Sequence, residues 1–475
     1  MTDQMEIDTL MHPEEQEITQ YESEKWGYIP DYNNGNYQTQ IQFSTQTVRE
    51  KKIVWSDGYV TAPIKINAGP GVGAVVYTAE TKVALKQSVL SLIYGVVLNN
   101  IGGTNIVNDT QVQFINNIRL MLDNDVDWLT CKSSELFLGL DRVEWNPASG
   151  PYPAAGNLPS TETARNRGFL ERVTFVQMQG FNVADAAFEF LAYIPLRYIH
   201  PIFAAASFPM INSNFELFLQ TSFGSNSAYP PLQVEGATQP VISISGGNAL
   251  VSQNNCRLYY KYIELKPKEN AVFLANLAKG YKIRRRYASC DVFAQLPGFQ
   301  NKSQQALNNT VITANIVRPI ALYALLFPAG VINGPTYNAN YGTVLAANAP
   351  MTPIGRLTNI QITMNNEAVL NTPLEGNIDV WAQMKERLIA YEADIAGAPI
   401  TYYDFLTSQH IHYFDLSKQT SKLNNPSQQV SISMTANRPA YDNVLCDYVF
   451  LVEKEMVVEF DMSGGNCTIV SGQNI

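Results

Sequence analysis

Residues 256–265, CRLYYKYIEL, run straight into residues 266–270, KPKEN, and the chain changes character between them. The first stretch is dense in Tyr, Leu and Ile, the composition of a strand. The second breaks it. Pro267 near a helix start and the early acidic Glu269 predict a short helix over 271–278, stopped at Gly280. Strand signals lie on both sides. Before the break, Ile41, Phe43 and Thr45 alternate with polar residues, the period-2 signature. Further strands are predicted over 59–66, 89–98, 188–194 and 215–219, with Asn99, Asn100, Gly102 and Gly103 as a turn signal. After the break come 288–296, 311–317, 320–326, 359–364, 410–416, 430–434 and 446–460.

Helices are few. Ile378, Trp381, Met384, Leu388 and Tyr391 fall on one helical face, with Asp379 near the start and Gly397 beyond the end. A second candidate over 196–206 is weakened by Pro201. Many strands, two or three helices and turn-rich spacers define an all-β sandwich class. The 475 residues accommodate two large β units, since such units run to ~200–250 residues each. The expected organisation is a flexible acidic arm over 1–40, a first unit over 41–265, a linker over 266–285 and a second unit over 286–475. The arm is expected because no hydrophobic period is present before Ile41. Three long spacers, 130–167, 222–254 and 329–353, are rich in Gly, Pro, Asn, Ser and Ala and read as exposed decorations.

Charged residues make up only 16% of the chain, against ~25% in an average soluble domain. A surface poor in charge is expected where much of it faces other subunits. Gly and Pro, 29 and 25 residues, are near average usage, which excludes wholesale disorder or a fibrous repeat. The net charge is −10, and residues 1–25 hold eight acidic side chains against Lys25 alone. The rest of the chain is nearly neutral, so a general phosphate-binding role is disfavoured and no sequence-specific nucleic-acid binding is expected. The acidic start has neither the basic nor the apolar region of a signal peptide, so none is expected. The strongly apolar stretch 320–332 is broken by Pro328 and falls short of the ~20 residues a bilayer needs, so no membrane insertion is expected. Cys131, Cys256, Cys290, Cys446 and Cys467 are dispersed and read as reduced thiols in the core.

Catalytic and cofactor motifs are not found. Gly69, Gly71 and Gly73 sit between two strands with no Lys-Ser/Thr after them, so they read as a plain loop. Neither G-x-S-x-G nor H-E-x-x-H occurs. His410 and His412 share a strand face, but a metal needs further ligands and Asp415 has the opposite parity, so a structural or solvent-facing role is expected. His200, before Pro201, reads as a packing or capping residue. The sequence thus points to no enzyme, no cofactor and no metal. One charge cluster stands out: Lys279, Lys282, Arg284, Arg285 and Arg286. It is either an interface or DNA-facing surface, meeting nucleic acid or acidic neighbours, or a solvated strand start laced with ion pairs. On a strand Arg284 and Arg286 share one face and Arg285 takes the other.

An ordered series of strings resembles the double jelly-roll major capsid proteins of polinton-like viruses and virophages, relatives of adenovirus hexon and of the giant-virus capsid proteins. The series is WSDGYVTAPIKI (55–66), LKQSVLSLI (85–93), the stretch from Val96 to Gly103, IPLRYIHPIF (194–203), NFELFL (214–219), the bridge 256–287, LTNIQITM (357–364), the helix around Trp381, YYDF (402–405) and HYFDL (412–416). It covers roughly residues 40–470. The resemblance implies two tandem jelly-roll sandwiches with a few short helices. It implies a homotrimeric, pseudo-hexagonal capsomer that tiles the icosahedral shell of a double-stranded DNA virus. It also implies a place in the virion and penton and minor capsid proteins as partners. The alternative is a secreted-type two-jelly-roll protein that binds or processes glycans. The same architecture hosts such functions, but they ordinarily come with a signal peptide and disulfides.

Overall fold

The computed structural model describes residues 21–33, 37, 39–68, 76–145, 164–221, 223, 231–235, 240–244, 250–251, 253–280, 282–294, 306–328, 336–338, 353, 355–388, 397–418, 429–439 and 446–470. Sixteen principal strands build two sandwiches. The first has β1 (Tyr21–Pro30), β2 (Gln40–Ser44), β3 (Lys52–Ala68), β4 (Ile93–Asn100), β5 (Asn105–Thr110), β6 (Ala187–Pro195), β7 (Phe215–Thr221) and β8 (Arg257–Leu265). The second has β9 (Lys282–Ala294), β10 (Leu307–Ile316), β11 (Pro319–Pro328), β12 (Thr358–Met364), β13 (Glu367–Ala368), β14 (His412–Asp415), β15 (Val430–Asn437) and β16 (Cys446–Asp461).

Connectivity defines the fold. The sheets of the first sandwich run β1–β8–β3–β6 and β2–β7–β4–β5; those of the second run β9–β16–β11–β14 and β10–β15–β12–β13. Counted from one to eight within each sandwich, both give 1-8-3-6 facing 2-7-4-5. All these pairings are antiparallel. Two four-stranded sheets wound in this order are a jelly roll, so the chain is a tandem double jelly roll.

Alternation sets the cores. In β7, Phe215, Leu217 and Leu219 are buried while Glu216, Phe218 and Gln220 are half-buried. In β3, Val60, Ala62, Ile64 and Ile66 face inward beside Ile194, Ala192, Phe190 and Phe188 of β6. β11 and the first half of β16 are buried on both faces, which is why they read as continuous apolar runs. Their second face lies against the first sandwich, and one hydrophobic cluster runs through both rolls.

The structure corrects the expected arm. Tyr21–Pro30 is the first strand of the first roll, paired along its length with β8. Its burial pattern, mostly exposed, explains the missing hydrophobic signal: it is a sheet edge whose outer face is open. Residues 1–20 lie outside the described residues. Deleting residues 1–40 is therefore expected to unfold the first roll, measured as loss of soluble, cooperatively melting protein; an unchanged melting temperature would contradict this. Strand β9 begins at Lys282, so Lys282, Arg284, Arg285 and Arg286 lie on it, while Lys279 precedes it at the end of the linker helix.

Helices are more numerous than the periodicity predicts. Val112–Leu122, Val126–Leu136 and Arg167–Gln179 fill the insertion between β5 and β6, partly inside the expected spacer 130–167. Val112–Leu122 shows no clean stripe because ten of its eleven residues are buried. The 196–206 segment splits into Leu196–Ile199 and Pro201–Ala205 around His200. The linker helix, Pro267–Ala278, has Pro267 in its first turn and ends before Gly280 at φ +69°. In Asn377–Lys385, Val380, Trp381 and Met384 are buried, but Ile378 is 58% exposed, against expectation. Tyr391 lies outside the described residues. The spacers 222–254 and 329–353 contribute Leu232–Glu235 and Thr336–Asn338 to a small sheet with Val83–Leu85, which ties the two rolls together; much of the rest of both spacers lies outside the described residues. Among the described residues, no helix is long and apolar enough to cross a bilayer.

Candidate functional site: the seam between the rolls and the basic strand

The basic residues form a ladder across β9 and β16. Lys282 Nζ lies 2.7 Å from Glu459 Oε1, and Arg284 Nε donates to Glu459 Oε2 at 2.9 Å. Arg286 Nη1 is 3.2 Å from Glu455. The three bases alternate on the exposed face. Arg285 takes the opposite face, with its guanidinium 5.7 Å from the Phe208 ring of the first roll. Lys279 caps the linker helix and is exposed. Hydrogen bonds from Lys282 and Arg284 hold the Glu459 carboxyl below the usual range. Exposed pairs of this kind are worth ~0–1 kcal/mol each. Replacing Arg284, Arg285 and Arg286 by glutamine is expected to lower stability by about 1–2 kcal/mol in total. A denaturant titration checks this, and a loss above about 4 kcal/mol contradicts it.

A second cluster was not legible in the sequence. Arg119, on Val112–Leu122, places Nη2 2.7 Å from Glu453 Oε1 and donates to the Ala288 carbonyl at 2.9 Å. Tyr323 donates to Glu453 Oε2 at 3.0 Å, and Arg387 Nε donates to the Tyr323 hydroxyl at 2.9 Å. Arg387 Nη1 meets Asp123 at 2.5 Å. The network crosses from first roll to second and back. Burial alone would raise the Glu453 carboxyl, but Arg119 and Arg387, with hydrogen bonds from Arg119 and Tyr323, hold it below its ordinary value. These groups line part of a cleft of about 500 Å³ between the rolls, walled largely by Leu120, Pro201, Ala204, Ile320 and Ala321. Glu453 interrupts the apolar run of β16, which was the one available signal; Arg119 lies 334 residues away.

Polar contacts extend the seam. Asp109 Oδ2 accepts from Ser289 at 3.1 Å and lies 3.0 Å from His200 Nε2. His200 Nδ1 accepts from the Ile202 N–H, so His200 caps Pro201–Ala205. Asn100 exchanges two bonds with the Cys467 backbone, at 2.7 and 3.0 Å. Phe208 and Phe460 meet edge to face at 5.2 Å.

His410 and His412 are both buried, so solvent-facing placement is corrected. His412 Nε2 accepts from the Leu357 N–H at 3.2 Å, while neither ring nitrogen of His410 has a hydrogen-bond partner among the described residues. Burial first, then Arg356 and His412, push the His410 pKa well below its ordinary value. The unfolded chain then binds a proton that the folded chain refuses. Stability is full above pH ~6.5 and falls by about 1.4 kcal/mol per pH unit below it, until the folded pKa is reached. His410→Phe is expected to flatten that slope between pH 6.5 and 5 in denaturant titrations; an unchanged slope counts against it. Among the described residues no cluster of His, Cys, Asp and Glu could hold a metal ion. Cys256, Cys290, Cys446 and Cys467 are buried thiols, but Cys131 is exposed, contrary to the core placement expected for all five.

Strand order and seam together describe a double sandwich whose two rolls are joined by buried polar contacts. No protein-family model matches the chain, and no curated protein matches it. Solved structures do. A 3.5 Å cryo-EM structure of the Sputnik virophage superposes with a TM-score of 0.60 at 11% identity, covering 96% of this chain and 90% of that one. The mavirus major capsid protein gives 0.52 at 11% identity, covering 94% and 90%. At this identity the likeness is one of fold, and it extends over nearly the full length of both partners.

Proposed function

We propose that this chain is a major capsid protein: a structural, non-enzymatic subunit that assembles as a homotrimer and tiles the icosahedral shell of a double-stranded DNA virus. The observation that carries the reading is the duplicated 1-8-3-6/2-7-4-5 strand order in one chain, in the same fold as the mavirus major capsid protein. Three such chains supply six sandwiches, enough for a pseudo-hexagonal tile. The low charged fraction fits a surface that faces copies of itself. In this reading the protein resides in the virion and meets penton and minor capsid proteins at lattice edges. The test is a mass in solution together with a negative-stain image. The expected mass is three times the 52.8 kDa chain, with a hexagonal outline. A stable monomer at micromolar concentration across ordinary salt sinks the proposal.

A further inference from the structure

Each roll has an outer face on its 1-8-3-6 sheet, and the two faces are treated differently. In the second roll that face carries Tyr323 and Phe327 of β11 and Glu453 of β16; Leu322 and Leu326 point the other way, into the core. It is covered by Val112–Leu122 of the first roll. Phe114 meets Phe327 at 5.8 Å between ring centroids, and Arg119 meets Glu453. That helix directly follows the fifth strand of its roll.

The equivalent face of the first roll is aromatic. Tyr28 lies 5.6 Å from Tyr259, Tyr259 stacks on Tyr59 at 4.9 Å, and Tyr59 lies 4.6 Å from Tyr193. Trp26 sits 5.5 Å from Tyr59, and the Arg257 guanidinium lies 4.6 Å from the Tyr28 ring. These residues occupy the matching strands, one, eight, three and six. Trp26 is 53% exposed and Tyr28 50%. They lie on β1, the edge strand of its sheet. Exposed aromatic patches and long open edges are interaction surfaces or liabilities.

The second roll also repeats the covering piece. Asn377–Lys385 is the first helix after its fifth strand, β13. It exposes Ile378 at 58%, beside Trp381, whose ring meets Tyr402 at 5.6 Å; Tyr402 and Tyr403 are exposed at 36% and 49%. One aromatic face and one ridge are thus left exposed to solvent.

We propose that the aromatic face of the first roll (Trp26, Tyr28, Tyr59, Tyr259) seats a second copy of this chain, which lays on it the ridge formed by Ile378, Tyr402 and Tyr403. The contact between chains then repeats the contact within the chain, a heterologous joint that closes after three copies. The inference rests on the trimer reading and names its surface.

The experiment compares parent, Trp26→Glu/Tyr28→Glu, Ile378→Glu and the control Val183→Glu, which alters an 83% exposed residue off the face. Circular dichroism first establishes that each is folded. Sedimentation over a concentration series then reads assembly. Both patch variants are expected to raise the half-dissociation concentration of the trimer by at least about thirtyfold, as for loss of an aromatic anchor. The control is expected to match the parent. Mixing the two patch variants is expected to give a dimer, since one intact face then meets one intact ridge; a generally weakened subunit shows no such rescue. A parent that is itself monomeric overturns the trimer reading and this inference together. A trimeric parent whose patch variants assemble normally overturns this inference alone. So does normal assembly combined with lost retention on an insoluble polysaccharide, which makes the face a sugar platform.

Discussion

The Arg119→Leu protein is expected to unfold about 3–5 kcal/mol more easily than the parent at pH 7. Glu453 has only 5% of its side chain exposed and accepts two hydrogen bonds from Arg119. Removing the arginine leaves a buried carboxylate with only Tyr323 and the more distant Arg387 beside it. Glu453 is held below the ordinary carboxylate range in the parent, so its contribution is present above pH ~4.5 and is lost as pH falls through the folded pKa. The variant lacks that contribution from the start. The gap between parent and variant should therefore be widest near neutrality and narrow in acid. Adding Glu453→Leu should recover much of the loss, because two apolar groups leave no charge stranded. Urea titrations at pH 7 and pH 4 on the four proteins of the cycle read all of this. A loss below 1 kcal/mol at pH 7, or one that does not shrink in acid, sinks the argument.

Gly465→Ala should be as damaging for a different reason. Gly465 has φ +67°, a region that costs a residue with a Cβ ~1–3 kcal/mol. A Cβ there would also fall inside the contact distance of the Asn212 carbonyl, which is backbone of the first roll and cannot swing away. Overpacking of this kind costs a further ~1–3 kcal/mol. The turn is pinned by Asn214 N–H donating to the Gly465 carbonyl at 3.1 Å and by Asn214 Nδ2 donating to Asn466 Oδ1 at 2.8 Å. Gly280 gives the control: its φ is +69°, but a Cβ on it meets nothing within 4 Å among the described residues. Gly280→Ala should show only the conformational cost. Equal melting temperatures for the two alanine variants would remove the steric part of the claim.

Much of the fold was legible because β-sandwich cores impose a two-residue period. β7 and β12 show it plainly, and the helix read after Lys266 is Pro267–Ala278. The failures have physical causes. β1 is an edge strand with its outer face open, so no buried alternation existed to be read. Val112–Leu122 is buried almost all round, so it has no polar stripe. The basic cluster was visible as composition, while its carboxylate partners on β16 lie about 175 residues away and only the sheet register brings them opposite. The Arg119–Glu453–Arg387 joint was invisible because it is assembled from three distant segments, and the aromatic face because its members come from four strands.

The neighbouring of first and last strands sets a timetable for synthesis. Tyr21 pairs with Leu265, so β1 cannot be fixed until the chain has grown by some 240 residues. At ~5–20 residues per second, that strand waits on the order of ten to fifty seconds after leaving the ribosome. The second roll repeats the delay between Lys282 and Asp461. Each nascent chain therefore carries an aromatic, unpaired strand through the crowded interval in which many identical copies are being made, and its folding yield should fall as the rate of expression rises.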